Sequence, residues 1–460
     1  MSSVETPIID FVRSYGESGF VRAHMPGHKG RGPIGPEALD ITEIRGADEL
    51  YGAEGIIKKS EEIAARLFGT GRTLYSAEGS SLCIRAMLLL ALQNAKAAEK
   101  NGAPARRYAV LAGRNAHKTL MTAAALLDLD IDWLYPAGNA ASLLACRTDI
   151  RALDDALADR EEKAELPIAV YVTSPDYLGN IENIRDIAAV CHWHGVPLLV
   201  DNAHGAYLRF LPKDMHPISL GADMCCDSAH KTLPCLTGAA YLHINRASPA
   251  FFAEHAKNAL SLFASTSPSY LILQSLDAAN SYIADGFAGK LAAFAEKLSR
   301  IRTALTGHGF ELIGAEPLKL TIAPKRFGYT GSGLADLLRL GGIECEFSDP
   351  DHTVLMLTPE NGDEELRRIV SCLLSAERRS SLDVVPPAVP RGERALTVRE
   401  AVLAPQERIP AELSEGRILG CGHIACPPAV PIVTAGERIT AEAIACFRYY
   451  GITECTVVGR

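Results

Sequence analysis

The stretch Leu198-Leu-Val-Asp-Asn-Ala-His-Gly205 decides the predicted fold, because a short apolar run ends on an acid followed by small and polar residues. A second stretch of the same kind, Met224-Cys-Cys-Asp-Ser-Ala-His-Lys231, follows it along the chain. Short, wholly apolar strands are typical of a parallel sheet that is buried on both faces. Functional groups in such folds lie beyond the carboxyl ends of the strands. The two stretches therefore predict that Asp201 and Lys231 face one pocket.

Around these two stretches, helical and apolar strand patterns alternate from residue 56 to residue 245. Amphipathic spacing predicts helices, and continuous apolar runs predict strands. The predicted helices are 59–68, 81–98, 117–127, 150–161 and 184–194, and the predicted strands are 108–111, 131–134, 168–172, 198–200, 223–226 and 239–243. This alternation predicts the α/β class, with a mostly parallel sheet covered by helices on both faces.

Four segments are predicted along the chain. Residues 1–55 form an N-terminal arm rich in Gly and Pro, and 56–260 form the large α/β domain. Residues 261–380 carry connecting helices and a small α/β domain. Helical patterns lie at 250–264, across the boundary with the large domain, and at 268–284, 286–306, 332–340 and 363–376. After the Pro-rich linker 385–390, residues 391–460 form a C-terminal domain.

Composition excludes several classes of protein. The 460 residues are 48% hydrophobic and carry a formal net charge of −9, so nothing favours binding to nucleic acid or to a membrane surface. The N-terminus lacks the pattern of a secretory signal, which predicts a cytoplasmic protein. The 12 cysteines are interpreted as reduced core residues. Cys421, His423 and Cys426 offer too few metal ligands at an unusual spacing, so no metal is expected.

An acid and a lysine at neighbouring strand ends match the needs of pyridoxal phosphate (PLP). The lysine condenses with the aldehyde of the cofactor, and the acid, here Asp201, keeps its pyridine nitrogen protonated so that the ring accepts electrons. Ser228 and His230 beside Lys231 can donate to the phosphate, and Ala203 lets a flat ring lie close. A lysine extending into solvent from a strand end is the alternative for Lys231.

Two further motifs complete the predicted site. Gly79, Ser80 and Ser81 open the helix 81–98, where free N–H groups and the helix dipole favour a phosphate, although the same motif serves as an ordinary N-cap. His117 begins the next predicted helix after a strand and could stack on the cofactor ring. A capping or surface histidine is the alternative there.

On these residues the sequence resembles the ornithine/lysine/arginine decarboxylase family of PLP enzymes with the aspartate aminotransferase fold. The shared motifs are Pro26-Gly-His-Lys-Gly30, Gly46-Ala-Asp-Glu-Leu50 with Ala53-Glu-Gly-Ile56, His117-Lys118, Thr173-Ser-Pro175, Asp201-x-Ala-His-Gly205, Ser228-x-His-Lys231 and a Pro-Pro segment near the C-terminus. The length is similar to that of small members without an N-terminal wing domain. The resemblance implies a seven-stranded, mostly parallel sheet, a small α/β domain, a C-terminal extension and at least a homodimer with the active site at the subunit interface.

The resemblance also implies roles for individual residues. Lys231 matches the lysine that forms the Schiff base, Asp201 the partner of the pyridine nitrogen and His117 the ring-stacking histidine. His204 matches a residue beside the cofactor and the substrate carboxylate. The residues that match phosphate contacts are Gly79, Ser80, Ser81, Ser228 and His230. The sequence departs from the family pattern at Asn202, where an acid is frequent, in the loop 77–81 and at Asp176, which leaves the substrate open.

The predicted function is α-decarboxylation of a basic amino acid, with arginine placed before lysine and ornithine. The catalytic residues predicted are Lys231, Asp201 and His204. An aminotransferase of the same fold is the first alternative and would use an arginine such as Arg326 to bind the substrate carboxylate. The second alternative is a PLP-binding homologue without catalytic activity that acts as a regulatory partner.

Overall fold

The computed structural model describes residues 4–136, 142, 144–145, 147–421, 425–426 and 430–459. The chain forms two compact units, each made of two stretches of sequence. The first unit is Met1–Ala105 with Pro197–Leu291, and the second is Arg106–Val196 with Ala292–Arg460. The four predicted segments, with boundaries near 55, 260 and 380–391, remain a prediction.

The strands are short, and most of them are buried. In chain order they are β1 (Arg72–Ser76), β2 (Arg107–Gly113), β3 (Asp130–Leu134), β4 (Pro167–Thr173), β5 (Leu198–Asp201), β6 (Met224–Asp227), β7 (Ala240–Ile244), β8 (Glu311–Ile313), β9 (Lys319–Ala323), β10 (Phe347–Ser348), β11 (Thr353–Met356), β12 (Gln406–Pro410), β13 (Ala425–Cys426), β14 (Val430–Pro431) and β15 (Glu454–Val458).

The helices in the described residues are α1 (Pro7–Glu17), α2 (Ile56–Phe68), α3 (Gly79–Lys100), α4 (Lys118–Leu127), α5 (Ile150–Glu162), α6 (Ile184–Trp193), α7 (Ala229–Thr232), α8 (Ala250–Ser261), α9 (Tyr270–Tyr282), α10 (Ala288–His308), α11 (Gly331–Leu340), α12 (Asp363–Leu374), α13 (Val398–Leu403) and α14 (Ala441–Tyr449). Ten of these fourteen helices match predicted ones, and α1, α7, α13 and α14 were not predicted.

The main sheet has seven strands in the order β1-β7-β6-β5-β4-β2-β3. Strands β2 and β3, β2 and β4, and β5 and β6 pair in parallel, whereas β7 runs antiparallel to both β1 and β6. The α/β class with a mostly parallel sheet is confirmed. The residues of β5, β6 and β7 are all buried, which explains why these strands read as continuous apolar runs.

Two elements of the first unit carry weak sequence signals. Strand β1 is a five-residue edge strand that pairs with β7 and packs against α2, α3 and α9. Helix α1 begins at Pro7 without a capping side chain of its own, and its first free N–H groups are instead bonded by a distant acid. The carboxylate of Asp277 accepts from Ile8 N at 2.9 Å and Ile9 N at 3.0 Å. Tertiary contacts, rather than local sequence, therefore stabilise both elements.

The second unit also contains a small antiparallel sheet in the order β10-β11-β9-β8 and the two-stranded sheet β12-β15. A hydrophobic cluster joins residues of the C-terminal segment, such as Ile432 and Phe447, to Leu178, Phe347 and Val354. The C-terminal segment is thus part of the core of this unit. Within the described ranges, no helix is both long and apolar enough to cross a bilayer.

Candidate active site

The first unit brings two strand ends together. Strand β5 ends at Asp201 and β6 ends at Asp227, and the parallel register pairs Asp201 with Cys226. The turn after β5 carries His204, and the short helix α7 after β6 carries Lys231. Lys231 Nζ lies 2.9 Å from His204 Nε2. The structure therefore brings together two of the three predicted catalytic side chains, on adjacent strand ends.

Asp201 is a buried acid at the point where β5 ends. Its side chain is 3% exposed, and its Oδ1 accepts a hydrogen bond from Ala203 N at 3.2 Å. Cys226 Sγ lies 3.7 Å from the same oxygen. A buried carboxylate at a strand end is suited to bind a cationic N–H group of a ligand.

The predicted phosphate-binding site, or phosphate seat, at Gly79, Ser80 and Ser81 lies at the beginning of α3, a helix of 22 residues. Gly79 has a φ of +72°, and a Cβ at this position would meet no atom of the described residues within 4 Å. Ser228 Oγ donates to Ser80 Oγ at 2.9 Å, so the ends of β6 and α3 are adjacent. Ser81 follows in the first turn of α3. Open space, serine hydroxyls and a helix N-terminus together form a site suited to a phosphate dianion.

The hydrogen bonds of His230 limit what this residue can do. Its Nδ1 lies 2.8 Å from the carbonyl oxygen of Ala239. A carbonyl oxygen only accepts, so Nδ1 carries the hydrogen, and Nε2 of the neutral ring is an acceptor. His230 can therefore donate to a phosphate from Nε2 only as the imidazolium, which refines its predicted role.

Thr232 was not among the predicted site residues, although it follows Lys231 directly. It is 1% exposed, and its Oγ1 has no hydrogen-bond partner among the described residues. An unpaired buried hydroxyl is uncommon in proteins and often marks a place where a ligand binds. Its position in sequence, next to the candidate lysine, was the available signal.

His117 belongs to the second unit, where it is the N-cap of α4. Its Nδ1 accepts from Thr119 N at 3.2 Å and lies 2.8 Å from Thr119 Oγ1. The capping role considered as the alternative is thus present. The ring-stacking role remains a prediction.

Asp176 and Arg326 also lie in the second unit. Asp176 is buried and organises a tight turn, accepting from Leu178 N and Asn180 N at 2.9 Å each. Burial raises the pKa of this carboxyl to about 6. Arg326, the candidate carboxylate-binding residue of an aminotransferase, has an 81% exposed side chain and lies 3.5 Å from Glu311.

A fully buried polar cluster lies beneath the β5 and β6 ends and was not predicted from the sequence. The Asp227 carboxylate accepts from Asn202 Nδ2 at 2.6 Å, from His216 Nε2 at 3.1 Å and from His243 Nε2 at 3.2 Å. Burial alone would raise the pKa of Asp227. The charge of His216 and the hydrogen bonds from both histidines hold that pKa well below its usual range. The only signal in the sequence was a second acid at a strand end.

Two groups of side chains in the described ranges have the composition and proximity of metal ligands. One is His216, Asp227 and His243, and the other is Asp349, Asp351 and His352. In the first group, both His-to-Asp distances are hydrogen-bond lengths. Of the Cys421, His423 and Cys426 cluster, His423 and the side chain of Cys426 lie outside the described residues.

With this geometry in place, comparison with known proteins identifies the family. The model of the family described as Orn/Lys/Arg decarboxylase, major domain, matches residues 6–307. The chain belongs to this family. It is 30% identical to an arginine decarboxylase of Halalkalibacterium halodurans, over 96% of this chain and 93% of that protein. It is 28% identical to an arginine decarboxylase of Bacillus subtilis, with the same coverage of both chains. The Orn/Lys/Arg decarboxylase family member described here is therefore an amino-acid decarboxylase.

Solved structures support the same fold. The lysine decarboxylase LdcF of Francisella novicida superposes with a TM-score of 0.78, covering 99% of this chain and 81% of that chain at 16% identity. The constitutive lysine decarboxylase of E. coli gives a TM-score of 0.73, covering 99% and 82% at 18% identity. The fold expected for a PLP-dependent enzyme of the aspartate aminotransferase type is thereby confirmed.

The residues at the two strand ends fit PLP, the cofactor that the family implies. The primary amine of Lys231 matches the aldehyde, and the buried carboxylate of Asp201 matches the pyridine nitrogen. The open N-terminus of α3 and the unpaired hydroxyl of Thr232 match the phosphate. The open space at Gly79 and the unpaired Thr232 Oγ1 are the structural observations that support this fit.

Proposed function

We propose that this decarboxylase acts on a basic amino acid, with PLP bound at Lys231, and that arginine is its substrate. The observation that carries the proposal is the contact of 2.9 Å between Lys231 Nζ and His204 Nε2, next to the buried carboxylate of Asp201. A lysine with only a structural role at a strand end would need neither the contact with His204 nor the nearby carboxylate of Asp201. The relatives named arginine decarboxylase support the choice of arginine.

Each group of the proposed site has one task in holding the cofactor. Lys231 would bond to the aldehyde carbon, and Asp201 would hold the pyridine nitrogen in its protonated form. Ala203 would leave room for the flat ring. The residues proposed to hold the phosphate are Gly79, Ser80, Ser81, Ser228 and His230, and His117 is proposed to stack on the ring.

Decarboxylation needs an electron acceptor and a proton source. PLP, when bound, supplies the acceptor for the electron pair left by the departing carbon dioxide. The chain supplies the proton: Lys231 Nζ and His204 Nε2 lie at hydrogen-bond distance, so a proton can be held at either atom and delivered to the substrate Cα. His204 also keeps the lysine amine oriented towards the turn after β5.

The carboxylate that leaves must not be held too tightly. A strong arginine contact would stabilise the charge that disappears in the transition state, and this favours transamination over decarboxylation. The side chain of Arg326 is exposed and lies 3.5 Å from Glu311. The relatives named arginine decarboxylase support the decarboxylase over the aminotransferase alternative.

The test combines an absorbance spectrum with an assay of carbon dioxide release. Purified protein incubated with PLP should show a visible band from the lysine-bound cofactor and should release carbon dioxide from arginine faster than from lysine or ornithine. Lys231→Ala should lose both properties. Lys213→Ala, which removes an exposed lysine of the same unit, is the matched control and should keep both. Release of carbon dioxide from none of the three amino acids would refute the proposed reaction.

We also propose that the chain forms at least a homodimer. Several large apolar side chains of the N-terminal arm are exposed in the single chain, namely Phe20, Val21, Met25 and Ile34. Apolar side chains clustered in one exposed segment are typical of a protein contact surface. Sedimentation analysis should give at least twice the mass of one chain, and the double variant Phe20→Ser/Ile34→Ser should shift the distribution towards monomer.

A further inference from the structure

The end of β5 and the turn after it carry three of the nine proposed site residues of the first unit, so the position of this turn matters. Asp201, Ala203 and His204 lie within four consecutive residues, and Asn202 stands among them without a role in the proposed chemistry. The family frequently has an acid at this position. The structure gives Asn202 a specific environment instead, which is fully buried.

The carboxamide of Asn202 is bonded through its nitrogen, whereas its Oδ1 is buried without a hydrogen-bond partner among the described residues. Its Nδ2 donates to Asp227 Oδ1 at 2.6 Å. Its Oδ1 lies so close to Gly205 that a Cβ on that glycine would be 2.0 Å away. The backbone of Asn202 is also fixed, because its N–H donates to Cys226 O at 3.0 Å and its carbonyl accepts from Gly205 N at 2.8 Å. Asn202 thus joins the turn to the end of β6 through its backbone N–H and its side chain, and its carbonyl closes the turn at Gly205.

Asp227 is in turn held by groups from other elements. His216 lies at the start of the 3-10 turn 217–220, and His243 lies on β7. Both donate from Nε2 to Asp227 Oδ2, and His243 Nδ1 lies 2.8 Å from Thr73 Oγ1 on β1. Each oxygen of the Asp227 carboxylate therefore accepts at least one hydrogen bond. The oxygen that faces Asn202 can only accept, so Asn202 must donate to it.

We propose that Asn202 and Asp227 form a positioning pair that holds Asp201, Ala203 and His204 in place for the cofactor. The amide is required because Asp227 is ionised: a carboxylate at position 202 would lie against a second carboxylate at hydrogen-bond distance. The proposal rests on the proposed function, because that function gives Asp201, Ala203 and His204 their roles. It adds that the amide at position 202 and the acid at position 227 depend on each other.

The pairing predicts an asymmetric set of variants. Asn202→Asp places two carboxylates together, so the turn moves and PLP binds at least about tenfold more weakly at pH 8. Asp227→Asn alone is mild, because a 180° flip of the Asn202 amide restores a donor and an acceptor. In the double variant Asn202→Asp/Asp227→Asn, the new amide donates to position 202 and accepts from both histidines. Its PLP affinity should return to within about threefold of wild type.

The affinity is measured by equilibrium dialysis of PLP against the apoprotein, with thermal unfolding of each apoprotein alongside. A purely structural role would lower the stability of the Asn202→Asp apoprotein and leave its PLP affinity at the wild-type value. The affinity of Asn202→Asp should also recover as the pH falls, because one proton shared by the two carboxylates restores a hydrogen bond. The titratable groups around this pair are Cys83, Asp201, His216, Cys225, Cys226, Tyr241 and His243.

Several outcomes would overturn the proposal. Wild-type affinity in Asn202→Asp, or a double variant no better than Asn202→Asp, would each do so. If Asn202→Asp does not fold, recovery of folded protein in the double variant supports the pairing, and persistent misfolding overturns it. A stoichiometric metal in the purified protein that is lost in Asp227→Asn would make Asp227 a ligand and also overturn it. Failure of the proposed function is distinguishable: a wild type that binds PLP but releases no carbon dioxide would refute only the proposed reaction, and a wild type that binds no PLP would refute the cofactor assignment itself.

Discussion

Replacing Gly79 by alanine tests the proposed phosphate seat at the beginning of α3. Gly79 has a φ of +72°, and its N–H donates to Gly238 O at 2.8 Å. A Cβ here meets no atom of the other described residues within 4 Å outside its chain neighbours and its own helix backbone, so alanine has no steric clash with them. Any loss of cofactor binding beyond the backbone strain must then come from a group that occupies the open space.

The chain offers a matched control for the strain. Gly451, which follows α14 in the second unit, also has a φ of +72° and the same open surroundings. Left-handed backbone costs a residue with a Cβ about 1–2 kcal/mol. The lower entropy of unfolded alanine offsets about half of that cost. Gly79→Ala and Gly451→Ala should therefore each lower the free energy of unfolding of the apoprotein by about 1 kcal/mol.

The two variants should differ in PLP binding. Equilibrium dialysis should show at least about tenfold weaker binding for Gly79→Ala, equivalent to about 1.4 kcal/mol, because the methyl group takes space that the phosphate needs. Gly451→Ala should bind PLP like the wild type. Equal PLP affinity in the two variants would refute the assignment of the phosphate to the beginning of α3. Unequal stability losses would show that the strain argument itself is wrong.

Three further predictions concern buried polar groups of the first unit. Lys257→Met should lower the free energy of unfolding in urea by about 3–5 kcal/mol, because it leaves the buried carboxylate of Glu61 without its partner at 2.6 Å. Adding Glu61→Gln should recover part of that loss. Burial raises the pKa of Asp277 to about 6, above its value in the unfolded chain, so the contribution of this group to stability falls as the pH rises from about 4 to about 6. Asp277→Asn should remove that dependence and be at least as stable as wild type at pH 7.5, and greater pH dependence in the variant would contradict the sign. Thr232→Val should leave the apoprotein as stable as wild type while weakening PLP binding, and unchanged PLP affinity would remove Thr232 from the proposed site.

Elements with strong local patterns were predictable, and elements that depend on distant partners were not. Strand β5 is a continuous apolar run, and its prediction is confirmed with the end extended to Asp201. Strand β1 is short and exists through its pairing with β7, so its own residues carried little signal. Helix α1 lacks a capping side chain, and its N-terminus is bonded by Asp277, about 270 positions away in sequence.

The candidate site divides in the same way. Asp201, His204 and Lys231 could be named from the sequence because strand ends in α/β folds carry functional groups, and such ends are visible as apolar runs followed by polar residues. The tautomer of His230 could not be predicted from the sequence, because it depends on a contact with the carbonyl oxygen of Ala239, just before β7.

The sequence by itself determined the α/β class, the positions of most elements and the residue types of the proposed PLP site, because periodicity and strand-end motifs are local properties. Only the tertiary structure decided which of those side chains meet. It placed His204 against Lys231, and it showed that Asn202 faces the ionised Asp227 beneath the site. The physical reason is that strand register and burial bring together groups that are far apart in sequence, and hydrogen-bond partners and pKa shifts depend on those neighbours.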